Sequence, residues 1–134
     1  YMQQILLRAG ILCQAVNDNL DMQLAANTLT QNDVAVGIAY SGEIRSVIQA
    51  LTAARAKRAK VIVITASNGS SMAKLAHQVL LYSNDIPDDL HYLHIGSICE
   101  ISILGLLQSE ILMRENQHDK VAHVAKNIIK TRKK

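Results

Sequence analysis

Two short polar runs carry the residues best suited to chemistry. Ser41-Gly42-Glu43 follows the apolar run "VAVGIAY", and Ser67-Asn68-Gly69-Ser70-Ser71 follows "KVIVIT". Small hydroxyls, a side-chain amide and glycine at the junction of an apolar run and an amphipathic one suit the binding of an anion such as phosphate. Glycine lets backbone approach a ligand closely, hydroxyls donate hydrogen bonds, and the free amides of a following helix present its positive end. Taken one at a time, these residues are ordinary helix caps and turn formers. Two such loops at the ends of neighbouring strands would face one crevice, which makes Ser41, Gly42, Glu43, Ser67, Asn68 and Ser70 the expected ligand-binding residues.

The elements that must position these loops follow from hydrophobic spacing. "YMQQILLRAG" reads as the end of a helix with Gly10 as its stop, and "ILCQAV" as a short strand. "NDNLDMQLAANTL" has Asn and Asp near its start and a stripe of Leu20, Leu24 and Leu29, which predicts a helix. Val34 to Tyr40 reads as a strand after the turn Gln31-Asn32-Asp33. Ile44, Val47, Ile48 and Leu51 then recur at helical spacing, with Arg55, Lys57 and Arg58 at the helix end that favours cations. "KVIVIT" is almost purely β-branched, as in a strand covered on both faces. A short helix through Met72 and Leu75 and a strand at "VLLY" follow. The irregular "SNDIPDDLHYLHIG", an apolar helix over Ile98 to Arg114 and a helix over Val121 to Ile129 complete the chain.

Strand and helix alternate with short loops, which predicts an α/β fold: a three-layer, doubly wound parallel sheet of flavodoxin-like order. The chain opens partway through a helix with no strand before it. A sheet lacking its first strand, and a piece of a longer protein, are therefore expected. Residues 1–134 read as one domain that is incomplete at its N-terminus, with 115–134 a basic C-terminal helix or tail.

Composition narrows the function classes. The 134 residues are 49% hydrophobic but include no Trp or Phe and only 4 Tyr, so the core must be aliphatic. Charged residues make up 19%, below the usual quarter, which suits a chain that covers part of its surface with a partner. Five of the basic residues, Lys126, Lys130, Arg132, Lys133 and Lys134, fall in the last nine positions, and no aromatic residue interleaves with them to stack on bases. The two cysteines, Cys13 and Cys99, make no disulfide framework and indicate a reducing compartment. There is no signal-peptide pattern, and Ile98 to Met113 is too short and too polar to cross a bilayer, so a cytoplasmic protein without membrane contact is expected. His91 and His94 have ligand-like spacing but no completing Cys or carboxylate set, and His118 and His123 fall in the polar tail; no metal and no cofactor are expected. Glu43, Glu100 and Glu110 are the carboxylates available for acid–base work. None forms a convincing catalytic pair, so no catalytic residue is assigned.

The run from Asp33 to Leu81, above all "YSGE" with "VIVIT" and "SSMAKLAHQVLL", resembles the sugar isomerase (SIS) domain, most closely the version in RpiR-type transcriptional regulators. The resemblance covers Gly10 to about Met113. It implies a phosphosugar effector, and DNA binding through a helix-turn-helix domain upstream of Tyr1. It also implies hydroxyls that are missing here. The family's first loop serine falls at Ala39, its threonine at Ile44, and the Asp before the last strand at His77. Each lost hydroxyl–phosphate bond is charge-assisted and worth about 1.5–3 kcal/mol. Arg45 stands beside this gap, although its place in the helical pattern predicts a solvent-facing side chain.

Three readings follow. The leading one is a phosphosugar-sensing module of an RpiR-type regulator. The second is a phosphosugar isomerase on the same fold. The third is a degenerate domain kept for dimerisation, for which Ala39 and Ile44 speak. In each case the Ile98–Met113 helix, apolar on more than one face, is the expected contact of a homo-oligomer, a dimer being the simplest.

Overall fold

The computed structural model describes residues 2–82 and 95–114. These form five helices and three strands: α1 (Met2–Arg8), α2 (Asn19–Thr28), β1 (Val34–Ile38), α3 (Arg45–Ala56), β2 (Lys60–Thr65), α4 (Ser71–Leu75), β3 (Gln78–Leu81) and α5 (Ile95–Arg114). They fall into two compact units, Val16–Ile101 and the described parts of Tyr1–Ala15 with Ser102–Lys134. The expected helix over Val121 to Ile129, the basic tail at 115–134, most of the proline-containing segment and the four histidines from His91 to His123 lie outside the described residues.

Within Val16–Ile101 the strands form one parallel sheet in the order β1-β2-β3. Val34 pairs with Lys60 and Ile38 with Ile64, while Ile62 pairs with Gln78 and Thr65 with Leu81. β2 is central, and Val61, Val63, Ile64 and Thr65 on it have no solvent exposure. This bears out the reading of "KVIVIT" as a covered strand. Val61 and Val63 share a core with Ala39, Leu51, Ala54, Ala59, Met72 and Ala26. Small side chains on α3, such as Ala54, let that helix approach the sheet closely, and α2 packs against α3. Gly37 shows how close: a Cβ there would stand 2.7 Å from Leu51 Cδ1 and 3.0 Å from Met72 Cε.

Local chemistry sets the boundaries. Asp18 caps α2, its carboxylate accepting from the amides of Leu20 at 2.8 Å and Asp21 at 3.3 Å. Asp33 closes the turn before β1 by accepting from the Thr30 amide and hydroxyl, both at 2.7 Å. These bonds, the hydroxyl first, hold the Asp33 carboxyl below its ordinary range. Arg58 adopts a left-handed φ of 64° just after α3, and the Arg55 guanidinium donates to the Leu75 carbonyl at the end of α4.

One expected strand is absent. Residues 11–16 have no regular structure, and the Ala15 amide donates to Gln3 Oε1 at 2.9 Å instead of to a ladder. A strand is stabilised by its neighbour, and β1 pairs on one side only, with β2, among the described residues. "ILCQAV" has the pattern of a strand but joins no ladder among the described residues. β1 is also shorter than expected, ending at Ile38 rather than Tyr40.

His77 sits where the resembled family has an acidic residue, and the structure shows what it does there. Its Nδ1 accepts from the buried Val61 amide at 3.0 Å, while its own amide donates to the Val61 carbonyl at 2.8 Å. His77→Ala should cost about 1 kcal/mol, because water can reach the exposed position and replace part of the bond. His77→Asp, which keeps an acceptor, should cost less. Urea denaturation of the three proteins would order them, and an unaffected alanine variant would show that the bond carries no stability.

In the other unit, α1 runs into Gly10 at φ 81°, which stops the helix as expected. The residues of α5 from Ser102 to Arg114 carry an exposed Glu110–Arg114 pair at 2.6 Å, an i,i+4 contact of little energetic weight.

Candidate functional site

The two polar loops lie at the carboxyl ends of β1 and β2, and they clasp each other. Gly42 has a left-handed φ of 67°, and its carbonyl accepts from the Met72 amide at 3.1 Å. Glu43 Oε1 accepts from the Ser71 amide at 2.8 Å, and Ser70 Oγ accepts from the Ala73 amide at 3.2 Å. The carboxylate and the hydroxyl thus cap the first turn of α4 between them. Hydrogen bonding from Ser71, its side chain first and then its backbone, holds the Glu43 pKa below its ordinary value, and Lys74 adds a smaller attraction.

The buried Thr65 ties both loops to the sheet. Its hydroxyl donates to the Tyr40 carbonyl at 3.0 Å and accepts from the Ser67 amide at 3.2 Å. Sequence reasoning treated Thr65 only as a strand end. A hydroxyl in the last place of an otherwise aliphatic strand was the available signal.

Ser41 is exposed and its Oγ accepts from the Glu43 amide at 3.2 Å. Ser67 is half-buried, Asn68 exposed, and Gly42 and Ser70 buried. The expected residues therefore lie on two loops that bond to each other. Gly42, Glu43 and Ser70 take part in the bonds between and within those loops, while Ser41, Ser67 and Asn68 keep access to solvent.

Beside this clasp the first turn of α3 borders an open depression of about 530 Å³, lined by Asn19, Leu20 and Gln23 of α2 and by Ile44, Arg45, Ser46 and Gln49. Ile44 is the N-cap residue of α3 and supplies no side-chain cap, where Ser, Thr, Asp or Asn would. Gln23 is anchored, its Nε2 donating to the Ser46 carbonyl at 3.1 Å. Arg45 is exposed, as its helical spacing predicts, and it lines this open depression.

A second cluster lies at the end of β3. Tyr82 packs against Tyr40 with ring centroids 6.2 Å apart, and its hydroxyl donates to Glu100 Oε1 of α5 at 2.7 Å. Burial and then the bond to Glu100 push the Tyr82 phenol up from its ordinary value. Glu100 is thus drawn to the sheet rather than left on the solvent side of its helix. Among the described residues there is no group of three or more His, Cys, Asp or Glu that could hold a metal.

Residues 1–93 match the family model for the SIS domain. The chain belongs to the SIS domain family. As an SIS domain it is similar to the HTH-type transcriptional regulator RpiR of Escherichia coli, with 37% identity over 78 residues, covering 58% of this chain and 26% of that protein. The chain thus spans about a quarter of the length of that curated relative. Among solved structures, the Vibrio vulnificus NanR protein complexed with ManNAc-6P matches 98% of this SIS domain and 51% of its own chain, with a TM-score of 0.83 and 20% identity. The sugar isomerase domain of the RpiR transcription factor from Sphaerobacter thermophilus matches 96% and 69%, with a TM-score of 0.70 and 20% identity. At such identity these two structures establish the fold and nothing finer. Among the described residues the parallel sheet has three strands, fewer than the doubly wound pattern predicts, and its fold is that of an SIS domain. No described helix of this SIS domain is long and apolar enough to cross a membrane.

The Glu43 clasp gives this SIS domain a testable acid response. A carboxylate whose folded pKa is lowered contributes stability that is present above its unfolded value, ordinarily 4.5, and is lost as pH falls through the folded value. Glu43→Gln keeps an acceptor for the Ser71 amide but does not titrate. The stability difference between the parent and this variant should be constant near neutral pH and shrink below about pH 4.5. Thermal melts across pH 3 to 7, about the range of carboxylate titration, measure it. A pH-independent difference would mean that the bond does not favour the charged form.

Proposed function

We propose that this SIS domain is the effector-sensing module of an RpiR-type transcriptional regulator and that its effector is a phosphorylated sugar. The observation that carries this reading is the open depression between the first turns of α2 and α3, next to the loop that follows β1. It is lined by amide, hydroxyl and guanidinium groups together with the apolar Leu20 and Ile44, in a chain 37% identical to a regulator over its matched region. A neighbour of the same fold was solved with a phosphosugar, ManNAc-6P. The geometry also favours sensing over isomerisation. Proton transfer at a sugar carbon needs a carboxylate poised at the substrate, whereas Glu43 is engaged with Ser71 and Glu100 with Tyr82.

In this reading Ser41, Ser67 and Asn68, which do not line the depression themselves, offer their side chains to the ligand from the neighbouring loop ends, and Gly42, Glu43 and Ser70 hold the loops in place. Residues 1–134 act as one domain of a longer cytoplasmic protein. A DNA-binding domain upstream of Tyr1 makes the contact with DNA. Two copies associate through the Ile98–Met113 helix, on which Ile98, Ile101, Leu106 and Met113 are exposed.

The test is a thermal-shift screen of the full-length protein against N-acetylmannosamine 6-phosphate, glucose 6-phosphate, fructose 6-phosphate and their unphosphorylated sugars. At least one phosphorylated sugar should raise Tm and alter retardation of the protein's own promoter DNA, while the free sugars should do neither. Stabilisation with turnover of the sugar would favour the isomerase. No stabilisation by any of them would sink the sensing reading and leave dimerisation as the role of the fold.

A further inference from the structure

The resemblance implies that a phosphate is held by hydroxyls at two positions, and the structure shows what this chain has put there. Ala39 is buried in the apolar core with Leu51 and Met72, and the Ile44 side chain stands on the wall of the depression. Neither can donate a hydrogen bond. The next residue, Arg45, lines the same depression with Ser46 and Gln49 and makes no ion pair with a carboxylate among the described residues. Two acidic side chains from neighbouring segments are engaged elsewhere: Asp18 accepts from the amides of Leu20 and Asp21, and Glu43 from that of Ser71. Of the residues that line the depression, only Arg45 carries a formal charge, and that charge is positive.

We propose that Arg45 is the residue that recognises the anionic group of the ligand, supplying by charge what the Ile44 side chain on the same wall cannot. This rests on the phosphosugar reading above and sharpens it. The ligand is a monophosphorylated polyhydroxy compound whose phosphate meets the guanidinium and whose hydroxyls meet the amides of α2 and α3. A guanidinium suits this role because its planar fork grips two phosphate oxygens at once, which hydroxyls on separate residues achieve only together. Gln23 suits the sugar end: its Nε2 is fixed to the Ser46 carbonyl, so its Oε1 is held in place as an acceptor for a hydroxyl. The depression, about 530 Å³ and open to solvent, has room for a ligand of this size while leaving part of it in water.

A guanidinium here has a consequence that hydroxyls would not give. Recognition by an exposed charge is screened by salt, whereas neutral donors are far less sensitive. Isothermal titration of the full-length protein with inorganic phosphate and with N-acetylmannosamine 6-phosphate, at about 0.05 M and about 0.5 M sodium chloride, reads both effects. Arg45→Gln should weaken both probes by about tenfold or more and flatten the salt dependence, and Arg45→Lys should lose less. Both variants should keep the parent Tm, since the side chain is exposed. If Arg45→Gln binds either probe as the parent does, the assignment of Arg45 is wrong while the phosphosugar reading stands. If phosphate binds through Arg45 but no sugar phosphate in the screen does, the assignment stands and the phosphosugar reading fails. If the parent binds neither probe, the assignment is overturned together with any anion site in this depression.

Discussion

Gly42→Ala should destabilise the domain by about 3 kcal/mol, the sum of about 1–2 kcal/mol for a left-handed backbone and about 1–3 kcal/mol for overpacking. The backbone term follows from the φ of 67°. The steric term follows from what a methyl group would meet. Its carbon would overlap Ser70 Oγ and stand 2.5 Å from Ser70 Cβ and 3.0 Å from Thr65 Oγ1. Neither neighbour has room to give, since Ser70 is 2% exposed and Thr65 not at all. Moving Ser70 would also strip the cap from the Ala73 amide, and moving the loop would break the bond from the Met72 amide to the Gly42 carbonyl. Urea denaturation of the parent and the variant measures the difference. Gly69→Ala is the matched control, because a methyl there meets nothing within 4 Å. A Gly42→Ala protein as stable as the Gly69→Ala protein would contradict the clasped arrangement of the two loops.

Thr65→Val should cost about 1–2 kcal/mol, toward the lower end of the range for leaving a donor without its partner because the Ser67 amide is only part-buried. The replacement keeps shape and volume, so packing of the central strand is held constant. The Tyr40 carbonyl keeps the Ala66 amide at 3.1 Å as its donor. The Ser67 amide, by contrast, loses the acceptor it now has at 3.2 Å. The loss therefore falls on the Ser67 loop and on its registration against the β1 end. Thr65→Ser keeps the hydroxyl and should recover most of the stability. Hydrogen exchange at Ser67 gives a local readout: it should quicken in the valine variant and remain near parent values in the serine variant. Equal exchange in all three would place the Ser67 amide in some other bond.

The parallel sheet was legible because β-branched runs such as "KVIVIT" have one good environment, a strand covered on both faces. The missing strand at "ILCQAV" was not, because strand formation belongs to a pair, and periodicity in one segment carries no information about its neighbour. α2 and α4 were legible from Asp18 and Ser70, whose side chains cap their own helices and so act over three residues or fewer. Arg45 shows the opposite case. Helical spacing assigned it to solvent, and it is exposed, but spacing could not reveal that α2 runs past the same turn and makes it one wall of a depression.

What the sequence determined by itself was local and periodic: the strands at β1 to β3, the helices, the two polar loops at strand ends, and the gaps at Ala39 and Ile44. What only the tertiary structure decided was which groups those loops spend on each other. From the sequence, Ser41, Gly42, Glu43, Ser67, Asn68 and Ser70 could each meet a ligand or serve as a cap or turn residue. Once the chain folds, the Glu43 carboxylate goes to an amide 28 positions away and the Gly42 carbonyl to Met72. The reason is that a hydrogen bond is chosen by distance in space. The parallel register of β1 on β2 brings the two strand ends side by side, so the groups nearest the seam satisfy one another, while the first turn of α3 keeps its open side toward the depression.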